Sequence, residues 1–455
     1  MMFLIRKLFK RDRFKSQHGD RRLGDQKFAR TPSRTMRRMM QRSRGFTLIE
    51  LLMAMLITTI IVGTLLSFVV NITETDRDEQ AKSESQGEVQ TALNYMADDL
   101  QEAVYIYNAD TLGLDSPNGI KDQLPTFTNS TPVLVFWKRL YYEPTVQLNV
   151  DPTIPPNPSL KKRVGCLEFG TSTTETGCDD ANGNPKGSGR YTYSLVAYYL
   201  IYNNQNGNET DDNNNKVPWS IAARIGRWEL KDGIRHPTCT LSVIANCADP
   251  KPVQRVQVDV AATTFINYWT IPDPGFTPFD PSKGDLPTVM KIWQKTPTAY
   301  FPSPATSPYS PTKLTVLLDF VDDTPYTTLQ DDGISGNSSA DTANTKNTPN
   351  TPVAGTASTN VSCSDANIGV GKAGNEDISQ RVPAEFKTTS SNLSETLSSF
   401  YVCVNSTQTS ARIYLRGNAL ARLRPNQAET SRRASSTYLS TGNVRAYGRG
   451  KLFFQ

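Results

Sequence analysis

From Phe46 to Val70 the chain reads FTLIELLMAMLITTIIVGTLLSFVV, an apolar run of 25 residues broken by a single charge, Glu50. At ~1.5 Å per residue a helix of this length covers about 37 Å, more than the ~30 Å hydrocarbon core of a bilayer. Basic residues crowd before the run, whereas Glu74, Asp76, Asp78 and Glu79 follow it around Arg77. This asymmetry predicts an N-terminus in the cytoplasm and the remainder of the chain on the far side. The stretch Ser67-Phe68-Val69-Val70-Asn71 lacks the small-x-small site of an ordinary secretory signal. A plain signal anchor accounts for the span and the orientation but leaves Glu50 unexplained, because a carboxylate in an apolar span costs several kcal/mol (~2.5 or more) unless it is paired.

Beyond the span the apolar period changes. Val89, Ala92, Leu93, Met96, Leu100, Ala103, Val104 and Tyr107 recur at three- and four-residue spacing, which predicts an amphipathic helix whose apolar face is buried. The polar stretch Glu74 to Glu88, weakened by Gly87, reads as a continuation with fraying, so one helix from Phe46 to Tyr107 is expected. Six later segments are rich in β-branched and aromatic residues and predict strands: Val133 to Tyr142, Tyr191 to Tyr202, Ile221 to Leu230, Leu314 to Val321, Phe400 to Val404 and Ile413 to Leu423. Gly and Pro clusters at Asp151 to Ser159 and Pro272 to Pro287 mark loops between them. Residues 324–392, rich in Ser, Thr, Asn, Asp, Gly and Pro, read as a flexible insertion with too little apolar surface to order itself. The expected fold class is α+β: a long N-terminal helix packed on an antiparallel sheet with long loop insertions.

The hydrophobic fraction, 37%, suits one modest core with long polar loops rather than a large multi-domain enzyme. Charge is segregated: residues 1–45 hold 15 Lys and Arg against 3 Asp, and residues 411–455 hold 9 basic residues against Glu429 alone. The C-terminal cluster includes Arg412, Arg416, Arg422, Arg424, Arg432 and Arg433, interleaved with Tyr414 and Tyr438. It reads as a contact for a polyanion such as acidic polysaccharide or DNA, as a solvated tail, or as a surface docking on the acidic body of a neighbouring subunit.

Six cysteines, Cys166, Cys178, Cys239, Cys247, Cys363 and Cys403, all lie beyond the span, where disulfides persist. Short loop closure favours pairing 166 with 178, 239 with 247 and 363 with 403. No CxxC is present and His236 is the one histidine after residue 45, so neither a zinc site nor a histidine-based catalytic pair is expected. No Walker A or GxSxG pattern occurs, and no enzymatic activity or cofactor is predicted. Asp179-Asp180-Ala181-Asn182-Gly183-Asn184 begins like a calcium loop but meets Arg190 or Tyr191 at position twelve. That stretch and the amide-rich run Asn203 to Asn215 read as solvated turns, with calcium the weaker alternative.

The segment Gly45-Phe46-Thr47-Leu48-Ile49-Glu50 ahead of an apolar helix resembles the class III prepilin leader of type IV pilins and type II secretion pseudopilins. The resemblance implies cleavage by prepilin peptidase between Gly45 and Phe46, N-methylation of Phe46, and pairing of Glu50 with the N-terminal ammonium of a neighbouring subunit during filament assembly. A glycine before the cut lets the backbone approach the peptidase closely. Removal of residues 1–45 leaves 34 basic residues against 41 acidic, net −7, so nucleic acid is not an expected partner. A leader of 45 residues is longer than that family usually carries.

Size, the helix segment Asp99-Leu100-Gln101-Glu102-Ala103 and the strand Tyr198-Tyr199-Leu200-Ile201-Tyr202 are similar to the J-type pseudopilins and large minor pilins. Trp219 to Arg224, Phe400 to Asn405 and Tyr414 to Ala419 resemble the cyanobacterial pseudopilin of the hormogonium polysaccharide secretion system. What this implies is a non-enzymatic minor pseudopilin, at a filament tip, that assists polysaccharide secretion and gliding. A minor type IV pilin for pilus initiation, adhesion or DNA uptake is the alternative. Implied partners are prepilin peptidase, other major and minor pseudopilins, the inner-membrane assembly platform and membrane lipid. The chain accordingly divides into a cleaved basic leader (1–45), the membrane half of the helix (46–70), its exported half (71–107), a β-rich domain (108–323), the insertion (324–392), C-terminal strands (393–424) and a basic tail (425–455). The place implied is the inner membrane, crossed once, with the C-terminal domain in the periplasm.

Overall fold

The computed structural model describes residues 47–113, 119–149, 161–167, 178–202, 219–240, 254–257, 265–270, 272–273, 275–279, 284–295, 314–325, 380–383, 390–405, 409–425, 427–432 and 436–449. The chain divides into two compact units, Met1–Phe68 and Val69–Gln455. In the first, the described residues are the start of helix α1 (Leu48–Gln101), whose apolar side chains from Leu48 to Val70 are exposed. This is the one helix among the described residues long and apolar enough to cross a membrane.

In the second unit the rest of α1 carries a stripe of buried residues, Ala81, Ser85, Val89, Ala92, Leu93, Met96, Ala97, Asp99 and Leu100. Their three- and four-residue spacing keeps them on one face. The polar stretch before them stays helical, supported by pairs one turn apart such as Gln80 with Glu84 and Lys82 with Glu79. Leu93, Met96 and Leu100 are fully buried, and each contributes about 1.5–3 kcal/mol of apolar transfer.

The helix ends at Gln101 and not at Tyr107. Ala103–Ile106 is strand β1, and α2 (Ala109–Leu112) follows. The apolar spacing of residues 100–107 fits burial in either conformation, and backbone donors from elsewhere decide it. Arg449 N–H donates to the Gln101 carbonyl (2.9 Å) and Arg139 N–H to the Glu102 carbonyl (3.1 Å), satisfying acceptors that a continuing helix would have used itself.

The remaining elements are β2 (Ser130–Tyr142), β3 (Gln147–Asn149), β4 (Lys161–Arg163), β5 (Arg190–Ile201), β6 (Ala223–Lys231), β7 (Ile234–Thr240), β8 (Gln254–Gln257), β9 (Phe265–Thr270), α3 (Leu286–Lys291), β10 (Thr315–Val321), β11 (Gln380–Val382), β12 (Phe400–Asn405), β13 (Ser410–Asn418), α4 (Ala419–Leu423), α5 (Glu429–Arg432) and β14 (Leu439–Tyr447). A nine-stranded antiparallel sheet runs β1-β2-β5-β6-β10-β13-β12-β11, with β14 also paired to β13. Strands β3 and β4 form a separate hairpin, and β7, β9 and β8 a three-stranded sheet. A long helix followed by an antiparallel sheet is the α+β arrangement expected.

Three sequence expectations need correction. The strand read from Ile413 to Leu423 stops at Asn418, whose side-chain oxygen accepts from Ala421 N–H (3.1 Å) and caps α4. The region read as a basic tail, 425–455, contains α5 and β14, and β14 pairs with β13 along its whole length, from Ser410↔Tyr447 to Asn418↔Leu439. The insertion read as 324–392 gives its ends to the folded body: Pro325 bridges to Leu397, and β11 pairs with β12. Residues 326–379 lie outside the described residues, as do the Asn203 to Asn215 run and the loop Asp151 to Ser159.

Candidate functional site: the N-terminal helix and its seat on the sheet

Thr47 precedes the first turn of α1 and caps it: Glu50 N–H reaches both the Thr47 carbonyl (3.0 Å) and its Oγ1 (3.3 Å). Glu50 therefore sits in the first turn, exposed among Leu48, Ile49, Leu51 and Leu52. Gly45 and Phe46 lie just outside the described residues. Within the span, hydroxyls that would otherwise face an apolar medium return to the helix's own carbonyls, as Thr58 to Ala54 (2.7 Å) and Thr64 to Ile61 (2.9 Å) do.

Further along α1, ionic and aromatic contacts fix the helix to the sheet. Asp99 takes Lys138 Nζ (2.9 Å), Tyr198 Oη (2.6 Å) and both Arg227 Nε (2.7 Å) and Nη2 (3.2 Å). Lys138 on β2, Tyr198 on β5 and Arg227 on β6 occupy three adjacent strands, so one helical carboxylate clamps three of them. Burial alone would raise the Asp99 carboxyl, but the Arg227 and Lys138 charges and the Tyr198 hydrogen bond outweigh it and hold it below the usual carboxylate range. Glu229 completes the charge balance from beside Arg227 (2.9 Å).

Glycines on the sheet permit the close approach. A Cβ at Gly417 would lie 2.8 Å from Val89 Cγ2, and one at Gly442 would lie 2.6 Å from Leu93 Cδ1. The C-terminal region also grips α1 directly. Tyr438 donates to Asp78 (2.6 Å) with Lys82 over its ring (4.7 Å), while Arg422 meets Glu84 (3.4 Å) and Glu88.

These contacts correct the reading of the basic cluster. Arg416 is fully buried against Asp322, and Arg432 is buried against Asp323 and the Gln427 carbonyl, so neither can meet an external polyanion. Arg422 is spent on Glu84 and Glu88, and Arg424 donates to the Ser431 carbonyl (2.9 Å). Arg412 is partly exposed, bonded to Asn443 and 5.3 Å from the Tyr414 ring. Arg433 lies outside the described residues. The physical reason is that Asp322 and Asp323 leave β10 inside the fold, where only a buried cation can balance them.

Cys166 and Cys178 are joined, with Cα atoms 5.4 Å apart, and Arg163 pairs with Asp179 (2.7 Å) beside them. These two sulfurs and Asp179 cluster, but both thiols are consumed by the disulfide and offer no metal ligand. Cys403 is also disulfide-bonded; the side chains of Cys239, Cys247 and Cys363 lie outside the described residues. Asp180 Oδ1 accepts from Asn182 N–H (2.8 Å) and Asn184 N–H (2.9 Å), the hydrogen bonding of a turn closed on itself.

Against known proteins, the family model of the prokaryotic N-terminal methylation motif matches residues 40–66, a stretch that contains Gly45, Phe46 and Glu50. No curated protein and no solved structure gives a significant match to the chain. The methylation motif, the membrane-length helix and the antiparallel sheet that follows give this chain the α+β architecture of a type IV pilin-like protein.

Proposed function

We propose that the chain is a non-enzymatic minor pseudopilin of a type II secretion or type IV pilus-like filament that assists polysaccharide secretion and gliding motility. The observation that carries this reading is the methylation motif laid over the exposed apolar start of α1, where Glu50 is the one charge up to Val70. Prepilin peptidase would cut between Gly45 and Phe46 and methylate Phe46. Glu50 would then find its counter-charge only on the N-terminal ammonium of a neighbouring subunit, which makes the pair a device for register rather than a net source of stability. The globular body follows on the periplasmic side of the inner membrane, the orientation favoured by the basic flank of the span. The size of that body supports a minor, tip-proximal subunit.

The experiment is intact-mass and N-terminal analysis of the membrane-extracted protein beside a Gly45→Val variant. A mature chain beginning at N-methyl-Phe46, lost in the variant, is the expected result; an uncut chain in both would overturn the reading. Deleting the gene tests the finer assignment. Secreted polysaccharide should fall while surface pili persist, and loss of pili with normal polysaccharide would move the subunit to a surface pilus.

A further inference from the structure

On the sheet face opposite the Asp99 clamp, the ends of β2 and β5 carry an aromatic platform. Residues alternate across a strand, so Lys138 and Tyr198 face α1 while Trp137, Arg139, Tyr141, Tyr191 and Tyr193 face away. Tyr141 and Tyr191 are cross-strand partners with rings 4.8 Å apart, each about half exposed, and the Arg139 guanidinium lies 4.3 Å from the Tyr191 ring. Phe279 stands edge-on to both Tyr193 (5.4 Å) and Trp137 (4.9 Å) and closes the inner end.

Beside this platform lies an open cleft of about 500 Å³ whose walls include Tyr191, Tyr193 and Phe279, with Asp232 and Arg190 at its polar side. That volume falls within the ~300–1,000 Å³ of small-ligand sites, and a mostly apolar wall with a few polar groups is the usual composition of one. Tyr191 on its wall is half exposed and pairs with half-exposed Tyr141 beside it.

We propose that this cleft binds a neutral oligosaccharide. A pyranose ring presents a face of C–H bonds and an edge of hydroxyls. Tyrosine faces stack on the first, while the Asp232 carboxylate, whose Oδ1 also accepts from Gly233 N–H (2.8 Å), and the Arg190 guanidinium add hydrogen bonds to hydroxyls on the second. Among the described residues one acid and one base line the cleft, so that lining favours neither sign of ligand charge. Tyr141, paired with Tyr191 but outside the cleft lining, extends the aromatic surface beyond the cleft, which suits several sugar rings in a row rather than one. The assignment stands on the cleft alone and does not require any particular filament.

The test uses the full chain in lauryldimethylamine oxide, a detergent without a sugar head group. Maltotriose, cellotriose and triacetylchitotriose are each titrated to about 10 mM and followed by saturation-transfer NMR and calorimetry; binding near 1 mM or tighter is expected for at least one. Tyr191→Ala and Asp232→Asn should each weaken it at least about tenfold, Tyr191→Phe should preserve it, and Tyr447→Ala on distant β14 should leave it unchanged. The Tyr191→Phe result separates loss of the stacking face from loss of the fold. Absence of binding by all three sugars overturns the proposal, as does binding insensitive to both cleft variants. Salt-sensitive binding of hexathymidylate without sugar binding would make the cleft a single-strand site, and also overturns it.

Discussion

Arg416 and Asp322 form an ion pair that solvent does not reach: Nε donates to Oδ2 across 2.8 Å, and both side chains are fully buried. Asp322 Oδ1 is held as well, by Thr324 Oγ1 (2.8 Å) and Asn418 Nδ2 (3.3 Å). Two charges from β13 and the end of β10 thus join the middle of the sheet where the strands themselves share only the Val321↔Gly417 position.

Removing one member of such a pair strands the other without water. Arg416→Met should therefore cost about 3–5 kcal/mol of stability in urea unfolding followed by circular dichroism. The double replacement Arg416→Met with Asp322→Leu should lose much less than the sum of the two single changes, because neither charge is then stranded. Strict additivity would show that the pair is not coupled.

Asp323, one residue on, faces a different balance. Burial raises its carboxyl most, the Arg432 charge and hydrogen bond oppose that, and neighbouring Asp322 raises it again, which leaves it pushed up to about 7. The unfolded carboxyl titrates near ~3.9, so between about pH 4 and pH 7 the folded chain holds a proton that the unfolded chain has released. Its contribution to stability is thus fully present below about pH 4 and is lost as pH rises through about 7. Asp323→Asn should flatten the slope of unfolding free energy against pH in this window. An unchanged slope would mean that Arg432 keeps the carboxylate charged throughout.

How much of this could be read from the chain follows from where each signal lies. The leader motif and the span are contiguous, so Gly45 to Val70 is legible at once. Strand β5 is legible from its aromatic and β-branched enrichment, but its apparent alternation misleads, since Thr192 and Ser194 are buried, Tyr191 is half exposed, and residues 194–201 are buried on both faces. Strand β1 was hidden because Ala103, Val104 and Tyr107 satisfy helical spacing as well as burial in a strand, and only the incoming Arg139 and Arg449 amides break the tie. Strand β14 has mostly polar, partly exposed side chains and is held by backbone pairing to β13, which leaves little pattern to find. The Asn418 cap before Ala-Leu-Ala-Arg-Leu was a local signal of α4 that the β-branched residues upstream masked. Arg416 and Asp322 lie 94 positions apart, and a charge run in isolation reads as solvated surface. The tyrosine cleft is assembled from β5, the segment after β6, Phe279 and Gly284 ahead of α3, and α3 itself, so no linear pattern announces it.

The glycines under α1 yield a packing prediction. Leu415 pairs with Gly442 across β13 and β14, and α1 lies so close that a Cβ at residue 442 would strike Leu93. Gly442→Val should destabilise the body by about 1–3 kcal/mol through overpacking. Adding Leu93→Ala should recover part of that loss by making room, although Leu93→Ala alone is itself destabilising by about 2–5 kcal/mol. A Gly442→Val variant as stable as the parent would show that the helix can lift off the sheet at little cost.

Glu50 supplies the sharpest separation between anchoring and assembly. As an isolated subunit the protein holds this carboxylate in an exposed apolar turn, so Glu50→Gln removes a cost and should leave membrane insertion and cleavage after Gly45 intact. In the proposed filament the same change would remove the partner of the neighbouring ammonium. If that pairing offsets even ~2.5 kcal/mol of burial, incorporation should fall by about 50-fold or more, since each 1.4 kcal/mol is a factor of ten. The measurement is the ratio of mature subunit in sheared or sedimented filaments to that remaining in the membrane, compared for the two proteins. Equal ratios would show that Glu50 plays no part in assembly, and a loss of cleavage in the variant would place its role at the peptidase instead.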